Sequence, residues 1–481
     1  MQNERLIGRE KEYHRLDQCM SQTSAQLVIV YGRRRVGKTC LINTYFDKRF
    51  DFKLTGIYGE TREVQLRNFA EELKLHTDRP LPAPRDWMEA FGQLREYLES
   101  LPESEKQVVF LDEMPWMDTP KGRFLSSFEW FWNGWGSARK NLILIVCGSA
   151  TAWMTEKIAQ NKGGLFHRQT CRLFLEPFTL GETEQYLKTR GIQWSQIDIA
   201  ECYMVMGGIP YYLSLLDAGY SYRENIDNLF FRKRAELWDE FDHLYHTLFQ
   251  NSEQYIRLVE VLNEKKSGLT RSEIADRTGL AENGALTKML KNLTDSGFVR
   301  AYLFYNKKKK EMLFQLADYY TMFYFRFLKD RPGRDEHFWR NAIDSPARRA
   351  WAGLTFEQLC KDHIRQIKQK LSIAGVLSEE SAWFIRPDDE QGSKGAQIDL
   401  LIVRRDRVTN ICEIKFSIHE YEIDKTYEEV LRHKIETFRT STGSRDTLAL
   451  TMITTYGVKK NLHSSIVNSQ VLLDDLFEPV V

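Results

Sequence analysis

Residues 26–46 read "QLVIVYGRRRVGKTCLINTYF", and this stretch decides the fold of the amino-terminal part of the chain. The apolar and aromatic run Leu27–Tyr31 predicts a buried strand, and we expect a helix to begin near Lys38. The loop between them, Gly32–Thr39, matches GxxxxGK[ST] in the strand–loop–helix context that the pattern requires. Glycines let a backbone fold around a phosphate, and amides at a helix start point toward it. The stretch therefore predicts a nucleotide site.

The predicted nucleotide site takes its chemistry from the side chains of this loop. Lys38 is placed to reach the terminal phosphates of ATP, and the Thr39 hydroxyl can ligate Mg²⁺. The three consecutive arginines of the loop either contact phosphate or are solvated. The residues expected at the nucleotide are Gly32, Arg33, Arg34, Arg35, Val36, Gly37, Lys38, Thr39 and Cys40.

A second apolar run, "QVVFLDEMPWM" at residues 107–117, ends in two acids. Asp112, at the end of a buried strand beside the loop, can hold the magnesium shell, and Glu113 can orient the attacking water. The alternative is an ordinary strand followed by an acidic turn. Both acids are present, so hydrolysis is expected and not binding alone.

A third apolar strand ends in Gly148-Ser149, and Ser149 is expected to sense the γ-phosphate. Farther along, Arg168 or Arg172 can face a phosphate, in the same subunit or in a neighbour. Either arginine is equally compatible with an ordinary surface position. These residues complete the predicted ATP site.

Residues 1–250 resemble the AAA-type ATPases of the archaeal-ATPase group, close to the STAND branch. The motifs that carry the resemblance are "LIGREKEYHRL", "GRRRVGKT", "FLDEMPWM", "CGSA", "LEPFTLGE" and "GGIPYYL". In such proteins a Gly-x-Pro motif of the lid places a proline near the adenine, which implies that role for Pro210. A helix–helix turn set by Gly and Pro explains the same residues.

A helix–turn–helix rhythm followed by a hairpin occupies residues 269–316. Thr270 caps a first helix in a capping box, and a second helix is expected at about 282–296. This pattern predicts a winged helix that contacts DNA, although such modules also bind proteins. The residues expected to face DNA are Thr287, Lys288, Lys291 and Asn292 of the second helix and Lys307, Lys308, Lys309 and Lys310 at the hairpin tip.

The stretch "QIDLLIVRRDRVTNICEIKFS", residues 397–417, contains two strands and a charged turn. A hairpin of this length brings Asp399 next to Glu413 at one end of a sheet. Two carboxylates and the Ile414 carbonyl suit Mg²⁺ or Mn²⁺, and Lys415 on the same face can act on a metal-bound water. The alternative is a half-exposed strand with an ion pair between Glu413 and Lys415.

This Asp-x₁₃-Glu-x-Lys order resembles the PD-(D/E)XK nuclease superfamily, and the carboxyl-terminal part looks like the DUF234 type fused to archaeal-type ATPases. The resemblance implies a further acid on a preceding helix, here Glu357 in "WAGLTFEQLCKDHIRQIKQKL". Gln397 stands where many relatives have an acid, which weakens the expected metal affinity. Nuclease chemistry and an inactive scaffold both remain open.

The composition of the chain excludes several classes of protein. The 481 residues carry a net charge of +1, so attraction to nucleic acid must come from local patches. The seven cysteines show no CxxC spacing, which argues against a zinc site or a disulfide framework. No apolar run is long enough to span a bilayer, and the amino end is too charged for a signal peptide. We therefore expect a cytoplasmic protein without membrane contact.

The expected fold class is α/β: a P-loop NTPase core with a helical lid, a winged-helix domain and an α/β domain like PD-(D/E)XK nucleases. The expected function is ATP binding and hydrolysis coupled to metal-dependent DNA cleavage. The alternative is a nucleotide-controlled switch that binds DNA or protein, and a homo-oligomer is compatible with either. The expected domains are 1–175 for the ATPase core, 176–250 for the lid, 251–318 for the winged helix, 319–345 for a hinge and 346–481 for the nuclease-like domain.

Overall fold

The chain forms two compact units. In the computed structural model the first unit comprises 1–177, 209–211 and 243–252, and the second unit comprises the rest. The residues that the structure describes are 6–77, 82–159, 164–165, 168–249, 251–307, 311–329, 335–386 and 395–480.

The first unit is built on a parallel five-stranded sheet in the order β2-β3-β4-β1-β5. Its strands are β1 (Gln26–Gly32), β2 (Phe52–Thr55), β3 (Gln107–Asp112), β4 (Leu142–Gly148) and β5 (Cys171–Leu175). Its helices are α1 (Glu10–Ser21), α2 (Lys38–Tyr45), α3 (Arg62–Lys74), α4 (Trp87–Ser100), α5 (Phe124–Gly134) and α6 (Thr151–Trp153). Strands β3 and β4 are buried along their whole length, as continuous apolar runs in a parallel sheet require.

A series of helices follows this sheet. They are α7 (Leu180–Thr189), α8 (Gln196–Met206), α9 (Pro210–Ser214), α10 (Tyr222–Ile226), α11 (Glu240–Leu248) and α12 (Ser252–Glu264). A capping box at Thr179 starts α7, with Glu182 bonded back to the cap. Gly208 approaches the Phe178 carbonyl so closely that an added Cβ would lie 1.9 Å from that oxygen. Only glycine fits at this position.

The two helices and the hairpin predicted between residues 269 and 316 are confirmed. They are β6 (Leu269–Thr270), α13 (Arg271–Thr278), α14 (Gly284–Asp295), β7 (Val299–Tyr302) and β8 (Leu313–Leu316). Thr270 and Glu273 form the predicted capping box of α13. Asn292 was expected to face a groove, and this is wrong: its side chain is buried and donates to the Tyr255 hydroxyl at 2.8 Å. Lys308–Lys310 lie outside the described residues.

Aromatic side chains fill the segment that precedes the carboxyl-terminal sheet. Its helices are α15 (Tyr319–Phe323) and α16 (Phe338–Asn341). Tyr320, Phe323 and Trp339 are fully buried, so these aromatics are core residues. Pro332 and Gly333, expected to form a hinge, lie outside the described residues.

A second five-stranded sheet, of mixed direction, has the order β13-β12-β11-β10-β9. Its strands are β9 (Ser378–Ile385), β10 (Ala396–Arg404), β11 (Val408–Lys415), β12 (Thr447–Thr454) and β13 (Ser469–Leu472), and the helices of this region are α17 (Pro346–Asp362), α18 (Ile364–Lys370) and α19 (Lys425–Thr442). Strands β10 and β11 form the predicted antiparallel hairpin. Phe438 of α19 and Ile398 of β10 belong to one apolar core.

The helix predicted over residues 351–371 is interrupted at His363, between α17 and α18. The buried His363 accepts a hydrogen bond at Nε2 from the Leu180 amide at 3.0 Å. That amide lies in the first turn of α7, where helix geometry leaves it without an intrahelical partner. Satisfying it is the structural role of His363. No helix among the described residues is long and apolar enough to cross a membrane.

Candidate functional site

The phosphate loop joins β1 to α2 and has the backbone geometry that its glycines permit. Gly32 has a φ of +145°, and an added Cβ there would lie 2.4 Å from the Leu175 carbonyl oxygen. Gly37 has a φ of +89° and open space around it. Both positions favour glycine because L side chains rarely adopt such dihedrals. The loop therefore leaves room beside Gly37, at the start of α2.

Lys38 is folded back onto its own loop. Its Nζ donates to the carbonyl oxygens of Gly32 at 3.1 Å and Arg33 at 2.8 Å. The residue is 5% exposed, and burial lowers the pKa of its ammonium group. Among the described residues, the ammonium group of Lys38 donates hydrogen bonds only to these main-chain carbonyls of the loop. Anionic phosphate oxygens would be stronger partners for that charge.

Two acid–hydroxyl pairs lie at the carboxyl ends of the strands next to the loop. Thr39 Oγ1 donates to both carboxylate oxygens of Asp112, at 3.1 and 2.9 Å. Glu113 accepts from the amide and the hydroxyl of Ser149, at 3.0 and 2.8 Å. The structure thus brings together four of the residues predicted for the ATP site. Hydroxyl and carboxylate oxygens at Thr39 and Asp112 fit the hard-ligand preference of Mg²⁺.

The remaining loop residues have distinct environments. The guanidinium of Arg35 lies 4.1 Å from the centre of the Tyr211 ring, and the Tyr211 amide donates to the Arg35 carbonyl at 3.4 Å. Pro210, the residue before Tyr211, is thereby held close to the loop. Val36 is fully buried, whereas Cys40 on α2 is exposed.

Sequence reasoning missed two residues that support the loop. Arg9 donates to the Val36 carbonyl and to the Glu176 carbonyl, both at 3.0 Å. Tyr211 packs on Arg35 as described above. Both residues could have been identified from the sequence, because Arg9 and Tyr211 belong to the quoted motifs "LIGREKEYHRL" and "GGIPYYL".

Arg168 lies far along the sheet from the phosphate loop of its own chain. It is exposed in a turn before β5, whose first residue pairs with Val28, whereas the loop begins at Gly32 opposite Leu175. Arg172 is also exposed, near the same end of β5. The structure does not bring Arg168 to the other predicted nucleotide residues.

The second candidate site lies in the second unit, on the hairpin of β10 and β11. Leu400 pairs with Cys412, so Asp399 and Glu413, each one residue farther, lie at the same end of the two strands. Gln397 donates to Asp399 Oδ1 at 2.7 Å. The hairpin therefore brings the predicted carboxylates together.

Glu413 is almost completely enclosed by partners. It is 2% exposed, and its carboxylate accepts from Lys415 at 3.0 Å, Lys434 at 2.7 Å and the Tyr427 hydroxyl at 2.6 Å. Burial opposes ionisation of Glu413, but the ammonium charges of Lys434 and Lys415 outweigh it, so its pKa lies below the usual value. Burial lowers the pKa of Lys415, yet the Glu413 charge outweighs this effect and raises it overall.

Glu357 on α17 lines the same cavity, which has a volume of about 620 Å³, as Asp399, Glu413 and Lys415. Burial and the negative charge of Asp399 raise the pKa of Glu357 to about 7. Lys361, one helical turn farther on α17, also lines the cavity, and burial lowers its pKa. All four residues predicted for this site therefore converge.

Sequence reasoning missed Lys434, Tyr427 and Lys361 at this cluster. Tyr427 and Lys434 are seven residues apart on α19, two helical turns, and so share a face. Their spacing was visible in the sequence, but the packing of that face against Glu413 was not. Lys361 follows Glu357 by four residues, the helical spacing that places both on one face.

The donor set at Asp399 and Glu413 suits a hard divalent cation in kind, because carboxylate oxygens are the ligands that Mg²⁺ and Mn²⁺ prefer. Lys415 and Lys434 now hold the Glu413 carboxylate. Within the described part of the chain, no group of three or more His, Cys, Asp or Glu side chains could hold a metal ion. The cluster thus offers two acidic ligands and two competing ammonium groups.

Comparison with curated proteins gives relatives of unassigned role. An uncharacterized protein of Methanocaldococcus jannaschii, MJECL04, is 22% identical over 435 residues, which cover 89% of this chain and 91% of that protein. An uncharacterized ATP-binding protein of the same organism, MJ0423, is 40% identical over 44 residues, or 9% of this chain and 75% of that protein.

Comparison with solved structures and with family models addresses the ATPase part. The Walker-type ATPase PABY2304 of Pyrococcus abyssi is similar with a TM-score of 0.47 and 18% identity, covering 66% of this chain and 95% of that one. The ORC2 protein of Aeropyrum pernix has a TM-score of 0.39 and 16% identity, covering 73% and 96%. Residues 6–216 match the family model described as an ATPase domain predominantly from Archaea. This match identifies that part of the chain as an ATPase domain of the archaeal type.

Proposed function

We propose that the chain is an ATP-hydrolysing enzyme that acts on DNA, and that its second unit cleaves phosphodiester bonds in a metal-dependent reaction. The observation that carries the proposal is the convergence of Glu357, Asp399, Glu413 and Lys415 on one cavity. These residues come from a helix and two strands, so their meeting is not a consequence of sequence proximity. Buried acids and a lysine in a cavity are typical of functional sites.

In the ATPase domain the proposed roles follow from the contacts. Lys38 exchanges its bonds with the carbonyls of Gly32 and Arg33 for bonds to the β- and γ-phosphates. Thr39 and Asp112 hold Mg²⁺, which neutralises phosphate charge when bound. Glu113 orients the attacking water, and its bond to Ser149 fixes its carboxylate.

Supporting contacts complete the proposed nucleotide site. Arg35 and Pro210 border it, because Tyr211 joins them through its ring and its amide. Arg33, Arg34, Val36, Gly37 and Cys40 supply the loop backbone, whose amides bind phosphate oxygens. Arg168 serves only a neighbouring subunit under this proposal, because it lies away from its own loop.

In the second unit Asp399 and Glu413 would hold Mg²⁺ or Mn²⁺, which when bound would activate a water molecule and offset phosphate charge. Lys415 is proposed to stabilise the charge that develops on the scissile phosphate, because it lines the same cavity as the three acids. Glu357 provides a further carboxyl group in the same cavity. ATP binding at the first unit controls when cleavage occurs.

A second candidate function is favoured by a specific observation. Lys415, Lys434 and Tyr427 all bond to the Glu413 carboxylate, and a side chain held by three partners is typical of a structural ion-pair network. Under this alternative the protein is a nucleotide-controlled switch that binds DNA or protein, and the carboxyl-terminal sheet is a scaffold.

DNA binding by the module at residues 269–316 belongs to both candidates. The exposed face of α14 offers Thr287, Lys288 and Lys291, and the hairpin between β7 and β8 carries Lys307. Lysines at such positions neutralise backbone phosphates without reading sequence. A winged helix is the module that this arrangement of helices and hairpin resembles.

The test is degradation of linear, circular and single-stranded DNA with Mg²⁺ or Mn²⁺, comparing wild type with Lys415→Ala. Lys460→Ala is the matched control, because Lys460 is exposed and does not line the cavity. We expect metal-dependent cleavage that falls by on the order of 10²-fold in Lys415→Ala and is unchanged in the control. No cleavage of any substrate by wild type would establish the switch in its place.

A further inference from the structure

We propose that the cavity around Glu413 accepts single-stranded DNA in preference to an intact duplex. This inference rests on the proposed function and names the form of DNA that the site takes. It follows from three features of the cavity: the anchored hairpin that borders it, its size and aromatic lining, and the basic side chains that line it.

The hairpin of β7 and β8 is anchored to the sheet that carries the acids. Phe304 forms a parallel bridge with Ala382 on β9, and the Tyr305 amide donates to the Ala382 carbonyl at 2.8 Å. The ring centres of Tyr305 and Phe438 are 5.3 Å apart. Because β9 is the neighbour of β10, this anchored part of the hairpin lies beside Asp399 and forms one side of the cavity.

The cavity has a volume in the range of small-ligand sites. Its volume of about 620 Å³ lies within the roughly 300–1,000 Å³ of cavities that hold small molecules. Nucleotides of one extended strand fit a space of this size. Tyr302 and Phe304 of the hairpin also line the cavity, and their rings lie 5.9 Å apart at a steep angle. Partly exposed aromatic faces stack on unpaired bases, which a duplex does not present.

The cavity also carries more basic than acidic side chains. Four acids line it, namely Glu264, Glu357, Asp399 and Glu413, and six basic residues line it, namely Lys265, Lys266, Arg349, Lys361, Lys415 and Lys434. Lys266 and Arg349 are exposed, and neither forms an ion pair with a carboxylate in the described part of the chain. They are the residues that would meet the phosphates of a strand entering the cavity.

Binding without cleavage tests the inference directly. Full-length protein in buffer with EDTA is titrated into a fluorescein-labelled oligonucleotide, either single-stranded or annealed to its complement, and anisotropy is read. Because the module at residues 269–316 is itself proposed to bind DNA, the contribution of the cavity is read from the affinity lost in cavity variants, which we expect for the single strand and not for the duplex. The double variant Lys266→Glu/Arg349→Glu should lose about tenfold or more of single-strand affinity and show a smaller salt dependence. Lys460→Glu, exposed and outside the cavity lining, should match wild type.

A second variant probes the aromatic wall. Phe304→Leu keeps apolar bulk at the bridge to Ala382 and removes the stacking face, so we expect about a fivefold loss of single-strand affinity. A charge-reversal variant that loses as much affinity for the duplex as for the single strand, or one that behaves like Lys460→Glu with the single strand, would overturn the inference.

The failure of this inference is distinguishable from that of the proposed function. Preferential single-strand binding without any cleavage in Mg²⁺ or Mn²⁺ supports the inference and removes the nuclease proposal. Cleavage of duplex DNA without single-strand preference overturns the inference and leaves the nuclease proposal standing.

Discussion

The two candidate sites differ in how the chain builds them. The ATP site takes most of its residues from one loop, Gly32–Thr39, and adds Asp112 and Glu113 from the strand beside it. The site in the second unit gathers Glu357 and Lys434 from two helices and its other residues from a hairpin. The first site is local in sequence, and the second depends on tertiary packing.

The two sites also differ in what holds their central charge. Lys38 bonds to main-chain carbonyls of its own loop, so a phosphate can replace those bonds without leaving another charge unpaired. Glu413 bonds to Lys415 and Lys434, so a metal at Glu413 must compete with two ammonium groups. The first site is therefore arranged for exchange of partners, whereas the second is arranged around an ion-pair network.

The largest expected effect is at the ATP site. Lys38→Ala should reduce ATP hydrolysis by at least about 10²-fold, because the phosphates lose their charged partner. Phosphate release measures this, with Lys74→Ala as the control because Lys74 is exposed at the end of α3. Hydrolysis at the wild-type rate in Lys38→Ala would remove Lys38 from the site.

Glu113→Gln should slow hydrolysis by about 10²-fold while nucleotide binding is retained, because the amide cannot take a proton from water. The bonds from Ser149 to Glu113 can be kept by the glutamine oxygen, so the fold is not expected to change. A fluorescent ATP analogue reports binding, and phosphate release reports turnover. Equal losses in both measurements would assign Glu113 a structural role instead.

Lys434→Met removes one of the two ammonium groups that pair with Glu413 and so tests the ion-pair network of the second site. We expect the second unit to lose about 2–3 kcal/mol of unfolding free energy, because the Glu413 carboxylate stays buried with one ammonium fewer. The depressed pKa of Glu413 stabilises the folded state above the unfolded pKa of about 4.3, and this contribution is lost as pH falls. The variant should therefore lose less stability on acidification than wild type. Denaturant titrations across acidic pH measure both effects, and Lys460→Met is the control.

Glu357→Gln should have an effect of the opposite sign, because it raises the free energy of unfolding instead of lowering it. The folded pKa of about 7 exceeds the unfolded value of about 4.3, so wild-type stability falls as pH rises between those values. Glutamine mimics the neutral carboxyl, so the variant should match wild type at low pH and become the more stable protein as pH approaches about 7. Thermal melts across this pH range check it, with exposed Glu420→Gln as the control. A constant difference at all pH values would contradict the raised pKa.

Features set by local sequence could be predicted. The loop with Lys38, the capping box at Thr270 and the β10–β11 hairpin all follow from neighbours in the chain, and the structure has each of them. Features set by packing could not be predicted. The side chain of Asn292 is buried and donates a hydrogen bond to Tyr255. The helix predicted across His363 is divided at that residue, which accepts a hydrogen bond from the Leu180 amide.

The candidate sites follow the same division between local and distant contacts. Asp399, Glu413 and Lys415 could be placed together from strand pairing. Lys434 and Tyr427 could not, because nothing in the sequence of α19 states which strand its face covers. The anchoring of the β7–β8 hairpin on Ala382 likewise depends on a contact between distant segments.

ATP bound at the first unit is proposed to control cleavage at the second. The most direct test of this control is DNA degradation in Mg²⁺ or Mn²⁺ with and without ATP, comparing wild type with Lys38→Ala. The account predicts that ATP changes the cleavage rate of wild type and has no effect on Lys38→Ala. A wild-type rate that is the same with and without ATP, or an ATP response that persists in Lys38→Ala, would contradict it.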